Sequence, residues 1–336
     1  MNSLSDAGLA KLTAGWGLSL RAAKRVRKVW RLETNKGVYC LKRSILNSED
    51  RLFVETALRY LWSQGFRAIV PSLPSIAGAC AIEHNGGSFM LYRWVESREA
   101  DFGDTADLTL AVKLLTDLHT ASRGFIPYSG NPSRVRWGLW PRILNARRAQ
   151  LAEFGERAAT LAGKSMFCAS YAHLLPYYYA EAKRALDLLS ILPYRDLCRR
   201  EAGERIICHH DFSARNILIG ADGGAVLVDF DYCLTDLRLH DLANFVLRLL
   251  RHDRWRPETA ASVLEIYGGN RPLDHDELAV LYPFLLWPQD FWQIGLQFFL
   301  EELPWSQERF IRTLRHKTED RAERAAFLEW YAGRYL

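Results

Sequence analysis

The sequence predicts an α+β fold in which a small antiparallel sheet is followed by a longer, mainly helical region. Residues 20–95 contain short runs of alternating apolar and polar side chains separated by Asn and Gly, which is typical of strands and hairpins. Beyond residue 96, apolar side chains recur every three or four positions, as they do on amphipathic helices. We therefore predict two domains, over residues 1–95 and 96–336.

The composition is that of an ordinary globular chain. The 336 residues are 49% hydrophobic and 25% charged, with a formal net charge of +5. The basic residues are spread along the chain, which suits an anionic small molecule such as a nucleotide. No nucleic-acid-binding motif accompanies them, and no apolar run approaches the ~20 residues that a membrane span needs. Neither a nucleic acid nor a membrane is therefore an expected partner.

The cysteines indicate reduced thiols rather than disulfides or a zinc site. None of them forms a Cys-x-x-Cys pair or a Cys/His zinc spacing. The first residues lack the basic and apolar segments of a secretory signal, so we expect a cytoplasmic protein. The six positions are Cys40, Cys80, Cys168, Cys198, Cys208 and Cys233.

The first elements are a short helix within residues 1–20 and a β-hairpin. The pattern predicts one strand over 26–34, a turn containing Asn and Gly over 35–37, and a second strand over 38–42. Lys42 therefore lies near the end of a strand.

The remainder of the sheet is interrupted by a helix. Residues 48–65 carry apolar side chains at a helical period, and Glu55 lies among them. Strands over 79–83 and 88–95, joined by a turn rich in Asn and Gly, contribute to a sheet of five antiparallel strands.

The helical region begins with a core helix over residues 108–120, in which His119 is expected to be structural. Two long helices follow over 137–161 and 166–192. Asp241 precedes a further apolar-periodic segment and is predicted to be its N-cap. The last hundred residues also read as helices.

Three polar residues follow one another at fixed spacing in a stretch that contains two apolar, strand-like runs. Asn216 lies five residues after Asp211, and Asp229 lies thirteen residues after Asn216. Mg²⁺ prefers oxygen ligands and commonly joins carboxylates to substrate phosphates. Asn216 and Asp229 are therefore a candidate metal pair, and Asp211 is a candidate base. The alternative is an ordinary β-hairpin with acidic ends.

This order of residues matches the catalytic parts of protein kinases, where a loop Asp takes the hydroxyl proton and an Asn and a later Asp hold Mg²⁺. In that arrangement a strand lysine contacts the phosphates and is held by a glutamate of the next helix. Lys42 and Glu55 occupy these places in the sequence. Each taken alone could also be a solvated surface charge.

The strand over residues 88–95 would lead into the linker beside the nucleotide. The backbone groups of Tyr92 and Trp94 could then bond to an adenine edge, and Met90 takes the gatekeeper-like position. The alternative for Met90 is a buried strand end.

With these residues assembled, the chain resembles the aminoglycoside phosphotransferase and choline kinase branch of the protein-kinase-like fold. It most closely resembles the CotS family of spore coat kinase-like proteins. The resemblance rests on residues 209–218 and 228–232, and less firmly on Lys42, Glu55 and Asp241.

The resemblance implies a two-lobed fold, with a sheet lobe that binds ATP and a helical lobe that holds the catalytic loop and an acceptor cleft. It also implies Asp211 as base, Asn216 and Asp229 on Mg²⁺, and Lys42 on the phosphates. The expected partners are ATP, a small hydroxyl-bearing acceptor and spore coat proteins, and the spore coat is a second expected location.

The sequence departs from the protein-kinase pattern in three ways. No Gly-x-Gly-x-x-Gly precedes Lys42, and the corresponding turn near residues 21–27 is basic instead. Its side chains could act as point charges on phosphates or form a solvated strand face. Asp231 stands where protein kinases carry the Gly of Asp-Phe-Gly, which adds a second carboxylate for the metal. No activation segment follows, which favours a small acceptor.

Two hypotheses for the function follow. The first is an ATP- and Mg²⁺-dependent phosphotransferase acting on a small-molecule or sugar-like hydroxyl. The second is a catalytically weak or inactive kinase-like structural component of the spore coat. Arginines within residues 134–148 and the tyrosines of 177–179 would suit an acceptor cleft, although packing explains each of them equally well.

Overall fold

The computed structural model describes residues 4–127, 132–269 and 271–336. The chain divides into two compact units, one formed by residues 1–135 and 205–235 and the other by 136–204 and 236–336. Within the described ranges every strand belongs to the first unit, and the second unit is helical. The predicted α+β class is confirmed. The predicted domain boundary after residue 95 stays a prediction.

The first unit contains the amino-terminal sheet and three helices. The strands of this sheet are β1 (Leu20–Val26), β2 (Val29–Thr34), β3 (Gly37–Ser44), β4 (Ser72–Leu73), β5 (Ile82–His84) and β6 (Gly87–Arg93). The helices are α1 (Asp6–Ala14), α2 (Ser48–Ser63) and α3 (Thr105–Ala121).

The sheet has six strands rather than the predicted five. Its order is β1-β2-β3-β6, and both β4 and β5 pair with the outer edge of β6. Because β4 contacts one end of β6 and β5 contacts the other, the sheet is five strands wide. The two-residue β4 is too short to produce an alternating pattern.

The single strand predicted over residues 26–34 is two strands with a turn between them. Arg27 has a φ of 51°, and Val26 pairs with Val29 across the turn. Basic side chains populate β1, so its alternation is weak. The turn at 35–37 is confirmed, as is the one at Asn85 and Gly86, whose φ values of 48° and 71° suit a hairpin.

One face of the sheet packs against α1. Leu9 and Leu12 of α1 contact a cluster that includes Leu32, Leu41 and Leu91. Neighbouring residues of a strand point to opposite faces. Lys42 therefore faces away from this core.

The other strands of the first unit frame the candidate catalytic loop. β7 (Ser97–Glu99), β9 (Ile217–Gly220) and β10 (Ala225–Leu227) form one antiparallel sheet in the order β10-β9-β7. β8 (Ile207–Cys208) pairs with β11 (Leu234–Thr235). The β9–β10 hairpin joins the two strand-like runs recognised in the sequence, whereas β7, β8 and β11 were not predicted.

The second unit consists of nine helices within its described residues. They are α4 (Trp140–Leu161), α5 (Met166–Ile191), α6 (Tyr194–Glu204), α7 (Arg238–His252), α8 (Pro257–Gly268), α9 (His275–Leu286), α10 (Gln289–Phe299), α11 (Gln307–His316) and α12 (Arg321–Tyr335).

Aromatic side chains dominate the core of the second unit. Tyr171 and Tyr178 of α5 each stack on Phe291 of α10, with ring centres 4.3 Å apart. Packing therefore accounts for Tyr178. The N-cap prediction for Asp241 is wrong, because α7 begins at Arg238 and Asp241 is a buried residue of its first turn.

All six cysteines are free. Among the residues that the structure describes, no helix combines the length and apolar character required to cross a membrane.

Candidate active site

The candidate site begins in the loop between β8 and β9, where a buried histidine fixes the backbone. The Nδ1 atom of His209 accepts a hydrogen bond from the Asp211 N–H over 3.2 Å. Its Nε2 lies 3.1 Å from the carbonyl oxygen of Val228, so Nε2 carries the ring proton. His210 between them has a φ of 63°. The ring thus joins the segment before Asp211 to the segment before Asp229.

Asn216 holds the Asp211 side chain from the start of β9. Its Nδ2 donates to both the main-chain O and the Oδ2 of Asp211, each over 2.9 Å. The main-chain carbonyl of Asn216 accepts a hydrogen bond from the Val228 N–H over 2.9 Å. Because Val228 directly precedes Asp229, the pairing of β9 with β10 places Asn216 and Asp229 at the same end of the hairpin.

Lys42 forms ion pairs with two carboxylates of the segment after β10. Its Nζ lies 2.5 Å from Asp229 Oδ1 and 2.8 Å from Asp231 Oδ1. Burial lowers the pKa of Lys42, but the negative charges of Asp231 and Asp229 outweigh this effect and raise it above its ordinary value. Lys42 is therefore a charged lysine at neutral pH.

Asp229 has an unusual backbone for a residue with a side chain. Its φ of 67° and ψ of 59° lie in the left-handed region, which costs a non-glycine residue about 1 kcal/mol. Asp tolerates this region better than most residues. The Asp229 side chain is 41% exposed, whereas that of Asp231 is 11% exposed, so the two carboxylates differ in their access to solvent.

The residues predicted to hold a metal offer the donor set that Mg²⁺ requires. Asn216 uses its Nδ2 on Asp211, and its Oδ1 accepts no hydrogen bond from any described residue. One carboxylate oxygen of Asp229 and one of Asp231 contact Lys42, which leaves a second oxygen on each. All of these donors are hard oxygens. The side chains present therefore fit a magnesium ion.

Glu55 does not hold Lys42, which corrects the sequence prediction of that ion pair. Its buried carboxylate accepts a hydrogen bond from the Ser72 hydroxyl of β4. It also pairs with Arg59 one turn along α2, at 2.9 Å. Two nearer partners therefore satisfy Glu55, and the two aspartates satisfy Lys42.

In β6, the strand predicted to meet the nucleotide, Met90 and Tyr92 lie on the same face of the sheet as Lys42. Met90 pairs with Lys42 in register, and Tyr92 lies two residues further along β6. Burial raises the pKa of Tyr92, and the nearby charge of Asp231 raises it further. The main-chain N–H of Trp94 donates a hydrogen bond to the Val38 carbonyl over 3.2 Å and is thus part of the hydrogen bonding of the sheet.

The basic turn between β1 and β2 makes protein contacts of its own. Arg27 Nη2 lies 3.1 Å from Glu99 Oε2, and the Arg25 guanidinium lies 3.8 Å from the ring centre of Trp30. Lys24 and Lys28 are exposed. The role of these residues as point charges on phosphates stays a prediction.

Arg134 is a buried residue of the site, for which the sequence left an acceptor-cleft role and a packing role equally open. It lies in the 3₁₀ turn Pro132–Arg134. Its Nη1 donates to the carbonyls of Asp231 and Cys233 over 2.8 and 2.9 Å, and its Nε pairs with Asp50 Oδ1 at 2.8 Å. It therefore ties the carboxylate-bearing loop to the first turn of α2 instead of lining an acceptor cleft. One arginine among many carries no sequence signal for this role.

A sheet that supplies a lysine to two aspartates, beside a loop carrying Asp211 and Asn216, defines the class of kinase-like phosphotransferases. The sequence profile of the phosphotransferase enzyme family (APH) matches residues 21–281. The chain belongs to this family.

The chain is also similar to known proteins in sequence or in fold. Spore coat protein S of Bacillus subtilis (strain 168) is 23% identical over 314 residues, which are 93% of this chain and 89% of that protein. An aminoglycoside phosphotransferase from Alicyclobacillus acidocaldarius has a TM-score of 0.81 at 20% identity, covering 100% of this chain and 97% of that one. A spectinomycin phosphotransferase in complex with ADP and spectinomycin has a TM-score of 0.69 at 14% identity, covering 97% and 99%.

These findings confirm three predictions from the sequence. The fold is shared with aminoglycoside phosphotransferases. The resemblance to spore coat kinase-like proteins is confirmed by the relationship to spore coat protein S. The enzyme class, a phosphotransferase, is confirmed by the family.

Proposed function

We propose that this chain is an ATP- and Mg²⁺-dependent phosphotransferase that acts on the hydroxyl group of a small, sugar-like molecule. The observation that carries the proposal is the ion-paired cluster of Lys42 on β3 with Asp229 and Asp231 after β10, at the end of the β9–β10 hairpin where Asn216 holds Asp211. A structural protein has no physical need for this set of charges in one place. The neighbour solved with ADP and spectinomycin supports both the donor and the acceptor class.

Asp211 is the proposed base in this reaction. Its carboxylate would orient the acceptor hydroxyl and take its proton. Asn216 holds that carboxylate through the Nδ2–Oδ2 hydrogen bond, which reduces the reorientation needed before reaction.

Asn216, Asp229 and Asp231 would hold the magnesium ion, which when bound supplies positive charge beside the β- and γ-phosphates. Lys42 would donate to donor phosphates from β3. Since Lys42 keeps its charge at neutral pH, it can neutralise phosphate oxygens there. Tyr92, Trp94 and Glu55 are the remaining proposed nucleotide-site residues, with Glu55 acting through Ser72 rather than through Lys42.

The substitution Asp211→Asn tests the proposal. It removes the base while keeping the shape and a hydrogen-bond acceptor, so we expect ADP release in the presence of a hydroxyl acceptor to fall by about 10²–10⁴-fold. Binding of Mg²⁺·ATP, measured by calorimetry, should persist.

A matched control is Asp222→Asn, which makes the same chemical change at the exposed turn of the β9–β10 hairpin. This variant should turn over ATP like the parent chain. Undiminished turnover in Asp211→Asn would remove Asp211 from the role of base.

The second candidate function is a structural component of the spore coat that uses the fold for assembly. The name of the relative, spore coat protein S, favours it. In this case spore coat proteins would be partners and the spore coat the location. Stabilisation of the chain by Mg²⁺·ATP separates the two functions.

A further inference from the structure

A cavity lies on the face of the amino-terminal sheet opposite to Lys42. Arg43 and Lys42 are neighbours in β3 and therefore point to opposite faces. Phe89 pairs with Arg43 in register and shares its face. The cavity has a volume of about 860 Å³, within the range of small-molecule sites. Its lining consists of Leu4, Ser5, Gly8, Arg25, Trp30, Arg43, His84, Asn85, Gly87 and Phe89.

The cavity wall is cationic without compensating carboxylates. Arg25 and Arg43 both line it, and no Asp or Glu does. Within the described residues neither guanidinium forms an ion pair. Other arginines of the same unit do, as in the pairs Arg27–Glu99, Arg31–Glu96 and Arg51–Glu83. Charge complementarity therefore favours an anionic occupant.

A buried polar atom in the same wall points to a ligand independently of the arginines. The Nε2 of His84 is inaccessible to solvent and has no hydrogen-bond partner among the described residues. Such an atom is costly to bury unless a partner satisfies it. Because this atom is enclosed, a ligand oxygen would reach it only after the His84 ring turns towards the cavity.

The remaining wall is aromatic. The rings of Trp30 and Phe89 lie 6.4 Å apart. The Arg25 guanidinium is held over Trp30 at 3.8 Å, and its Nε donates to the Arg27 carbonyl over 2.9 Å. This side of the cavity therefore offers a flat apolar surface next to an oriented cation.

We propose that this cavity binds a small organic phosphate, a phosphate monoester carried on a planar apolar ring. The guanidinium of Arg43 and the Nη atoms of Arg25 contact the phosphate oxygens. The ring of the ligand packs against Trp30 and Phe89. Apart from Arg25, whose role on donor phosphates stays a prediction, the site shares no residue with the proposed catalytic machinery, and it does not depend on the proposed function.

Calorimetric titration of the full chain with phenyl phosphate tests this site, with phenol and inorganic phosphate as the two half-ligands. We expect saturable binding of phenyl phosphate, at least about tenfold tighter than that of either half-ligand, because only phenyl phosphate uses both walls. Arg43→Ala and Arg43→Gln should each weaken binding by about tenfold or more. Arg43 is exposed, so both variants should melt like the parent chain.

Two further variants sharpen the result. A Cβ at Gly87 would lie 2.8 Å from Arg43 Nε, so Gly87→Ala should weaken binding by displacing the guanidinium without removing a charge. Lys11→Ala, an exposed site on α1 outside the lining, changes the net charge equally and should leave binding unchanged.

Three outcomes would overturn the proposal. The first is the absence of saturable binding up to about 10 mM phenyl phosphate. The second is inorganic phosphate binding as tightly as phenyl phosphate, and the third is loss of binding in Lys42→Ala, which would place the ligand on the other face of the sheet.

Discussion

The Arg134 guanidinium satisfies two main-chain carbonyls and one carboxylate at the same time. Its removal would take this donor away from the two carbonyls, whereas Asp50 would keep its hydrogen bonds from Asn47 and Ser133. Buried partners that lose such a contact typically cost several kcal/mol. The geometry of the Asp229–Asp231 segment thus depends on a residue nearly a hundred positions away.

We expect Arg134→Ala to lower the free energy of unfolding by about 2–4 kcal/mol, measured by urea denaturation. Because the carboxylate-bearing loop loses its anchor, the Mg²⁺ concentration needed for half-maximal turnover should also rise. Arg134→Lys keeps the positive charge but lacks the several N–H donors of the planar guanidinium, so it should be more stable than Arg134→Ala and less stable than the parent chain.

Arg312→Ala is the control for Arg134, since Arg312 is an exposed arginine of α11. It should leave both measurements unchanged. If Arg134→Ala lowered stability alone, with an unaltered Mg²⁺ dependence, Arg134 would stabilise the fold without positioning the metal site.

Cys40 lies two residues before Lys42 on the same face of β3, and burial raises the pKa of its thiol to about 11. The carboxylate of Asp229 also raises this pKa, while the Lys42 charge lowers it. The folded chain therefore retains the proton more tightly than the unfolded chain, and deprotonation between about pH 9 and pH 11 weakens folding.

Alkylation of Cys40 by iodoacetamide should rise about tenfold per pH unit between pH 8 and pH 10, because only the thiolate reacts. Peptide mass spectrometry measures the rate at this position, and Cys40→Ser confirms the assignment of the modified peptide. A rate that levels off near pH 9 would contradict the raised pKa.

At the scale of elements, α10 packs closely against α4 and α5 at Gly295, which lies at the point of contact. A Cβ at Gly295 would lie 2.8 Å from a ring carbon of Phe154 and even closer to the hydroxyl of Tyr171. Both of these side chains are fully buried. The close packing of the three helices therefore requires the absence of a side chain at this position.

We expect Gly295→Ala to reduce the free energy of unfolding by about 1–3 kcal/mol through overpacking. Gly333→Ala in α12 is the matched control, since a Cβ there meets no atom within 4 Å. Without a clash, the better helix propensity of Ala should make this variant neutral or slightly more stable. Equal effects in urea denaturation would argue against the packing explanation.

The elements differ in how well the sequence predicts them. Long helices such as α2, α4 and α5 repeat their apolar spacing over several turns, and they were predicted close to their observed bounds. The turn at Arg27 was missed because no Gly or Asn marks it. The two-residue strands β8 and β11 form only by pairing with each other across the fold, which no local pattern records.

For the whole molecule, binding of Mg²⁺·ATP should raise the stability of the chain. A ligand present at 100 times its Kd adds about 2.7 kcal/mol, which raises Tm by a few degrees in a chain of this length. Thermal melts with ATP alone, Mg²⁺ alone and both together measure this effect. The combination should give the largest shift.

Lys42→Ala should lose most of this ligand-dependent shift, each melt being compared with the same variant without ligand. Asp222→Asn should keep it. No shift in the parent chain at millimolar Mg²⁺·ATP would favour the structural role in the spore coat over catalysis.

Part of the candidate site was predictable because its residues lie close together in the sequence. Asp211, Asn216, Asp229 and Asp231 lie within one short stretch whose spacing carries the information. The partner of Lys42 was mispredicted because the expected fold brings Glu55 and the two aspartates all close to Lys42. In the structure Glu55 accepts a hydrogen bond from Ser72 instead. No sequence pattern predicts this contact, because Ser72 lies on a strand of only two residues.

The ion pair between Lys42 and Asp229 also bears on how the chain folds. It joins residues 187 positions apart, whereas Asn216 and Val228 meet within a single hairpin. Contacts between nearby residues close small loops and form early, and distant contacts form late. The metal-binding half of the site should therefore be in place first, so that formation of the lysine ion pair marks the completion of the native state.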